Sequence, residues 1–362
     1  MIKYKTSEHD TTIIHNITTR ITESLQEWYG SSSRLLSPVP GVRSYTNSFI
    51  LCYEVRTLTD RKVILVKIRR NPKMKSLAQA VNVPHIHANI PSEFKTLCLL
   101  YQHIGTGHPN FTAIRPLTYM EEYFAIVMEE FPSRPLRELL FDQRKSSSSN
   151  ELRVTARKAG ELLRFFHEQI HSIAEQPYTS SELLADVEAY ASRLELYTHG
   201  RVNAADIMNV FKQKLALKAI QSIPFSEIHQ DMTCNNVLYS EDGKVCLIDI
   251  RTKPAPIYSD LALLLIHPET FREHIFRSGN YFSKDLLEEY RKAILAGYFE
   301  KHPVNGFLVN LFCAIRVLDK WTMHEELFHK YKRLKRLFTR PLGPILTSYF
   351  QAVLNRYLTA LD

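Results

Sequence analysis

The chain has 362 residues, 44% hydrophobic and 23% charged, with a formal net charge of +8. That balance is the one of a folded globular protein and excludes a disordered chain. No uninterrupted apolar run reaches the ~20 residues needed to span a bilayer, and Met1–Thr6 lacks the apolar core of a signal peptide. The five cysteines, Cys52, Cys98, Cys234, Cys246 and Cys313, are odd in number and widely spread. They predict reduced thiols and a cytoplasmic setting, not a disulfide framework.

In chain order, Thr11–Tyr29 has helical periodicity and is expected outside a strand-rich region. Pro38–Ser48 contains a single glycine, Gly41, and reads as a loop. Phe49–Val55 and Lys62–Lys67 read as two strands around a Leu58–Arg61 turn, with Lys67 closing an apolar run. Arg69–Lys75 forms a basic insert, followed by His85 and His87; no Cys or carboxylate cluster accompanies these histidines to make a metal site. From Pro91 the chain reads as a helix with Ser92 as N-cap and Glu93 in the first turn. Phe124–Glu130 is a further strand, Pro132–Pro135 a hinge, Arg144–Asn150 a polar loop, and Glu151–His171 a long buried helix.

The segment His229-Gln-Asp231-Met-Thr-Cys-Asn-Asn236 precedes a hairpin that ends at Asp249. Asp242-Gly243 between apolar runs signals a two-residue turn. If those two residues form the loop, Asn236 falls directly opposite Asp249, about 4.5–5.5 Å apart at Cβ. An amide oxygen and a carboxylate held in that way suit a hard cation such as Mg2+. Asp231, in the loop feeding the same end, would be a carboxylate able to take a proton from a hydroxyl. Ser259-Asp260 before Leu261 predicts that Asp260 caps a helix and braces the loop. Cys234 shares the loop with His229; a spare position without chemistry is the better reading.

Towards the C-terminus, Asp285, Glu288, Glu289 and Glu300 are offset by Lys284, Arg291, Lys292 and Lys301, so no acidic patch forms. His329–Arg340 places six Lys/Arg among Tyr331, Leu334, Leu337 and Phe338, a basic amphipathic helix. Two readings stand. Its apolar stripe packs on the protein, or Lys330–Arg340 is drawn to an anionic membrane surface or glycan. Charge alone would allow nucleic acid, but no recognition motif supports it, and none is expected as a partner.

His229, Asp231, Asn236, Ile248-Asp249 and Asp260-Leu261-Ala262, in this order and spacing, resemble the aminoglycoside phosphotransferase and choline kinase family. That family has the protein kinase-like fold. The resemblance implies an α+β, two-lobed chain: a small strand-rich N-lobe with the hinge strand over residues 1–131, and a larger, mainly helical C-lobe over 132–362. It implies ATP and Mg2+ as cofactors, with Asp231 catalytic and Asn236 and Asp249 on the metal. Lys67 would hold phosphates, Glu93 would fix Lys67, and Met128 and Glu129 would lie along the adenine. His229 and Asp260 would support the loop. Asp249 is followed by Ile250-Arg251 and not Phe-Gly, and D-L-A stands where protein kinases carry A-P-E. Both departures favour the branch that phosphorylates a hydroxyl of a small molecule, sugar or glycan. Pro38–Ser48 lacks G-x-G-x-x-G, so its phosphate cover rests on backbone N–H groups alone. The alternative is a pseudokinase or a docked binding protein with the same fold.

Overall fold

The computed structural model describes residues 7–83, 88–105, 107–144, 149–216, 218, 220–330 and 332–362, the last stretch by backbone alone up to residue 342. His85 and His87 lie outside the described residues. The chain divides into two compact units: Met1–Ser133 with Leu247–Arg251, and Arg134–Cys246 with Thr252–Asp362. The first unit thus takes in a short segment around Asp249 as well as the N-terminal part of the chain.

The first unit contains helix α1 (Glu8–Tyr29), strands β1 (Arg34–Leu35), β2 (Gly41–Ser44), β3 (Ser48–Arg56) and β4 (Arg61–Arg69), helices α2 (Leu77–Val81) and α3 (Ile90–Ile104), and strands β5 (Pro116–Met120) and β6 (Ala125–Glu129). Its sheet runs β1-β3-β4-β6-β5, with β2 also on β3. Strict alternation along β3 sends Phe49, Leu51, Tyr53 and Val55 to one face, where Ile64, Val66 and Ile68 of β4 join them. Ile17, Ile21 and Leu25 of α1 close this core. The α1 helix therefore belongs to the core and is not an outer appendage, and a buried bond between Thr18 and Tyr53 hydroxyls (3.0 Å) pins it there. The other face of β4 carries Val63, Leu65, Lys67 and Arg69.

Two sequence expectations shift here. Gly41–Ser44 is a strand paired with Phe49–Cys52, and Tyr45–Asn47 link it to β3. Helix α3 starts at Ile90 after Asn89, with Pro91 in its first turn, so Ser92 is inside the helix and not its cap. Proline is tolerated there because its missing N–H has no partner in a first turn.

The second unit holds strand β7 (Arg134–Pro135), helices α4 (Leu136–Asp142) and α5 (Asn150–Phe165), strand β8 (Ala174–Pro177) and helices α6 (Ser180–Thr198) and α7 (Ala204–Ala216). Strands β9 (Ser222–Ile228), β10 (Val237–Tyr239), β11 (Val245–Leu247) and β12 (Lys253–Pro256) follow, then helices α8 (Tyr258–Ile266), α9 (Arg272–Ile275), α10 (Lys284–Tyr298), α11 (Gly306–Lys330) and α12 (Lys332–Thr359). One π-turn, Phe166–Ile170, extends α5. His329 and Lys330 end α11 while Lys332–Arg340 open α12, so the basic stretch is divided between two helices. Among the described residues, no helix is long and apolar enough to cross a membrane.

Helices α5 and α10 meet through two glycines. A Cβ on Gly160 would stand 2.2 Å from the Ile294 carbonyl oxygen, and one on Gly297 would stand 2.0 Å from that of Arg157. Main chain faces main chain, so neither side can yield by rotating a side chain. Alanine at a helix interior position normally gains ~1 kcal/mol over glycine. Here overpacking, typically about 1–3 kcal/mol and more against rigid backbone, outweighs that gain. Gly160→Ala and Gly297→Ala should each lower the urea midpoint and the melting temperature; a rise in either would show that the helices can separate freely.

Candidate functional site

In the first unit, the face of β4 opposite the α1 core carries a buried charge cluster. Lys67 pairs in register with Ile50 on one side and Ile126 on the other, which fixes its backbone centrally in the sheet. Its ammonium donates to Glu93 Oε1 at 2.6 Å and to the Asp249 carboxylate. Lys67 is 7% exposed and Glu93 2%. Burying charges of this kind is expensive unless they are paired and hydrogen-bonded. Glu93 meets that demand with both oxygens: Oε2 accepts from Arg69 Nε at 3.0 Å and from a second guanidinium nitrogen.

Arg69 is the residue that the sequence reading missed. It was counted with the basic insert, yet it stands two positions after Lys67 on the same strand, and period-2 alternation puts both on one face. Its neighbour Arg70 holds the Tyr45–Ser48 turn, donating from Nε to the Tyr45 carbonyl at 2.7 Å with its guanidinium 4.5 Å from the Phe49 ring centre. The first two residues of the insert are therefore each held by specific partners in the first unit. Asp249 has φ 58°, a left-handed conformation that a non-glycine residue adopts at a cost and that clusters at functional positions.

In the second unit, Ile228 of β9 leads into the loop His229–Asn236. Its first two N–H groups, of His229 and Gln230, donate to the two oxygens of Asp260, the latter bond being 3.0 Å. His167 Nε2 lies 3.3 Å from Asp260 Oδ2 and its Nδ1 2.8 Å from the Tyr298 hydroxyl. Asp260 is fully buried. Burial pushes its carboxyl upward, but the hydrogen bond and charge of His167, with those of His229, outweigh burial and hold it below the usual range. The expected helix cap is not formed: α8 begins at Tyr258 after Ile257, and both Asp260 oxygens are turned to the loop instead. Gln230 takes φ 69°, a bend held in place by this double acceptor.

Past the bend, Asp231 is exposed. Asn236 Nδ2 donates to the Asp231 backbone oxygen at 2.8 Å and to its Oδ2 at 3.1 Å. The main chain between them is closed by Thr233 N–H on the Asp231 carbonyl and Asn236 N–H on the Thr233 carbonyl, each 2.9 Å. The Cys234 N–H donates to His267 Nδ1 at 3.2 Å, and the Arg137 N–H donates to the Cys234 carbonyl at 3.1 Å. Burial lowers His267 to about 3, so it is the neutral acceptor that this bond requires. The Cys234 thiol, 3.1 Å from the Tyr290 hydroxyl, is pushed up to about 12 by burial. It is an inert filler and not a nucleophile.

The hairpin turn differs from the expected one. Ser240 N–H donates to the Lys244 carbonyl at 3.0 Å and Gly243 N–H to the Ser240 carbonyl at 2.9 Å, with Gly243 at φ 76°. This is a three-residue loop closed by a left-handed glycine, reinforced by the Ser240 hydroxyl on Asp242. Ser240, and not Glu241, pairs with Lys244. A loop one residue longer shifts the expected pairing of the hairpin at its turn by one position.

Met128 and Glu129 end β6. The N–H groups of Glu129 and Glu130 donate to Arg115 and Val63 carbonyls at 3.0 and 2.8 Å, and Arg115 also holds the Glu129 carboxylate at 2.8 Å. Among the described residues, no group of three or more His, Cys, Asp or Glu could hold a metal ion.

The sequence profile of the phosphotransferase enzyme family (APH) matches residues 55–307. No match was found among curated proteins. Of solved structures, a glucosamine kinase is similar at 13% identity and a TM-score of 0.55, covering 94% of this chain and 80% of that one. An amicoumacin kinase, hAmiN, is similar at 12% identity and a TM-score of 0.50, covering 97% and 96%. A macrolide 2'-phosphotransferase type I is similar at 13% identity and a TM-score of 0.50, covering 96% and 97%. These likenesses show a fold shared with protein kinase-like small-molecule kinases, and with the family profile spanning most of the sequence the chain belongs to the phosphotransferase enzyme family.

Proposed function

We propose that this enzyme moves the γ-phosphate of ATP, with Mg2+, to a hydroxyl of a small molecule, sugar or glycan in the cytoplasm. The observation that carries the reading is Asp231: an exposed carboxylate, oriented by Asn236, in a loop whose entry is anchored on buried Asp260. A carboxylate so placed can take or orient the proton of an attacking hydroxyl. Asn236 commits its amide nitrogen to Asp231 and thereby keeps its oxygen for a cation.

The metal donors proposed are the Asn236 amide oxygen and the Asp249 carboxylate. Both are hard oxygen ligands, of the kind that bind an ion whose other ligands are phosphate oxygens and water. When bound, such an ion neutralises charge on the β- and γ-phosphates. Lys67 is proposed to hold the non-transferred phosphates, with Glu93 and Arg69 fixing its position. Met128 and Glu129 are proposed to line the adenine side. Since the sheet engages the Glu129 N–H, contacts there fall to other backbone groups.

Two solved structures support nucleotide, cation and an amino-sugar class of acceptor: a glucosamine kinase with glucosamine, ADP and inorganic phosphate, and the amicoumacin kinase with AMP-PNP and Ca2+. Contact with an anionic membrane or glycan through Lys330–Arg340 remains part of the proposal on charge alone. A screen of acceptor classes for ATP turnover, with phosphorus NMR of the product, tests the reading; no transfer to any hydroxyl despite tight nucleotide binding would favour a pseudokinase.

Asp231→Asn should bind nucleotide as the wild type does while kcat falls about 10²–10⁴-fold; undiminished turnover would remove Asp231 from the mechanism. Arg69→Gln should lower kcat/KM for ATP by about tenfold or more, the scale of a lost hydrogen bond to a charged group. Arg69→Lys should recover part of it, and the acceptor KM should not move. A loss confined to thermal stability would make Arg69 only a structural clasp. Asp249→Ala should weaken Mg2+-dependent ATP binding more than Asn236→Ala, because a carboxylate contributes more Coulomb energy than an amide; calorimetry with and without Mg2+ reads the difference.

A further inference from the structure

The second unit contains a basic cleft that the phosphotransferase reading leaves unused. It has a volume of about 330 Å³ and is lined by Arg144, Arg277, Asn280, Tyr281, Ser283 and Lys284, among others. Arg144 follows α4, Arg277 to Ser283 lie between α9 and α10, and Lys284 is the first residue of α10. The guanidinium carbons of Arg277 and Arg144 stand 5.2 and 6.0 Å from the centre of the Tyr281 ring. Two cations thus converge on one aromatic wall, with a third at the rim.

Nearby carboxylates are committed elsewhere. Asp142 binds Arg134 at 2.7 Å, and Glu289 accepts the Ser149 N–H at 3.2 Å. Asp285, in the first turn of α10, does not line the cleft. Among the described residues, none of the three cations is ion-paired with a carboxylate, whereas Arg137 close by pairs with Glu273. Like charges gathered without a counter-charge raise the local potential, and an anion relieves their repulsion. Arg144 spends one donor on the Phe141 carbonyl at 2.9 Å, leaving most of its five N–H groups to serve a ligand. Guanidinium forks match tetrahedral oxyanions, and the N-terminal end of α10, 15 residues long, adds partial positive charge on the same side.

We propose that this cleft binds the phosphate group of a small phosphate monoester, at a site separate from Asp231 and Asn236. Its volume lies at the lower end of the range for ligand pockets, about 300–1,000 Å³, which suits a phosphosugar-sized molecule. The Tyr281 ring offers an apolar wall for the body of the ligand.

The test is calorimetric titration of the nucleotide-free full chain with glucose 6-phosphate, inorganic phosphate and glucose, with sodium chloride at matched ionic strength. Glucose 6-phosphate should bind, glucose should not, and the Arg144→Gln/Arg277→Gln double variant should lose about tenfold or more in affinity. Lys284→Gln, at an exposed helix end, should weaken binding on its own and serves if the double variant does not fold. Equal affinity for inorganic phosphate would make free phosphate sufficient and leaves the oxyanion site standing. Lys67→Gln should bind the sugar phosphate as the wild type does. Binding lost in Lys67→Gln but kept in the arginine and lysine variants would overturn the proposal, as would phosphate binding no stronger than chloride. The outcome is independent of acceptor turnover, so failure here does not bear on the proposed reaction.

Discussion

The loop that carries Asp231 depends on one buried carboxylate. Among the described residues, Asp260 has no lysine or arginine to compensate its burial; a histidine and two main-chain N–H groups do so instead. Those two N–H groups belong to consecutive residues, so satisfying the carboxylate dictates the direction in which the chain leaves β9. Gln230 is bent to φ 69° at that point. Without the acceptor, two buried donors would be stranded, each costing about 1–3 kcal/mol, and the bend would have no compensation. His167 reaches Asp260 from the π-turn after α5, and such turns recur at functional positions because they re-aim a side chain that regular helix geometry would misplace.

The first unit solves a related problem with the opposite charge arrangement. Glu93 is almost fully buried, and its two oxygens are divided between Lys67 and Arg69. A single lysine would leave one oxygen to bear its desolvation alone. The second cation removes that imbalance. Lys67 is therefore shared between Glu93 and Asp249 on a carboxylate that does not rely on it.

Much of this was legible in the sequence, and the misses have physical causes. The Lys67–Glu93 pair was readable because Lys67 closes an apolar run and Glu93 stands in the first turn of a helix. Arg69 was lost because charge composition was allowed to outrank strand alternation. Ser92 and Asp260 carried local capping signals, yet the helix start at Ile90 and the loop N–H groups of His229 and Gln230 claimed those places. The Asp242-Gly243 turn was recognised but its length was not. The Ser240 hydroxyl bonds Asp242, a local side-chain contact of the kind that shifts turn type. The helix crossing at Gly160 and Gly297 left no pattern, because a close approach appears only when two segments distant in sequence meet.

The separation of paired from unpaired charge is what assigns roles in this chain. Glu93 and Asp260 are buried and fully engaged, so they hold geometry and have little to offer a ligand directly. Asp231 is different: among the described residues no cation pairs with it, and its orienting partner is the neutral Asn236 amide. An arginine in that place would orient the carboxylate and at the same time stabilise its ionised form against accepting a proton. An amide orients it without that opposing charge. The same rule, applied to cations, distinguishes Arg134, which is tied to Glu138 and Asp142, from Arg144 and Arg277, which meet over a tyrosine ring. The excess positive charge of the chain is thus not spread evenly over a solvated surface; part of it gathers where, among the described residues, no carboxylate pairs with it.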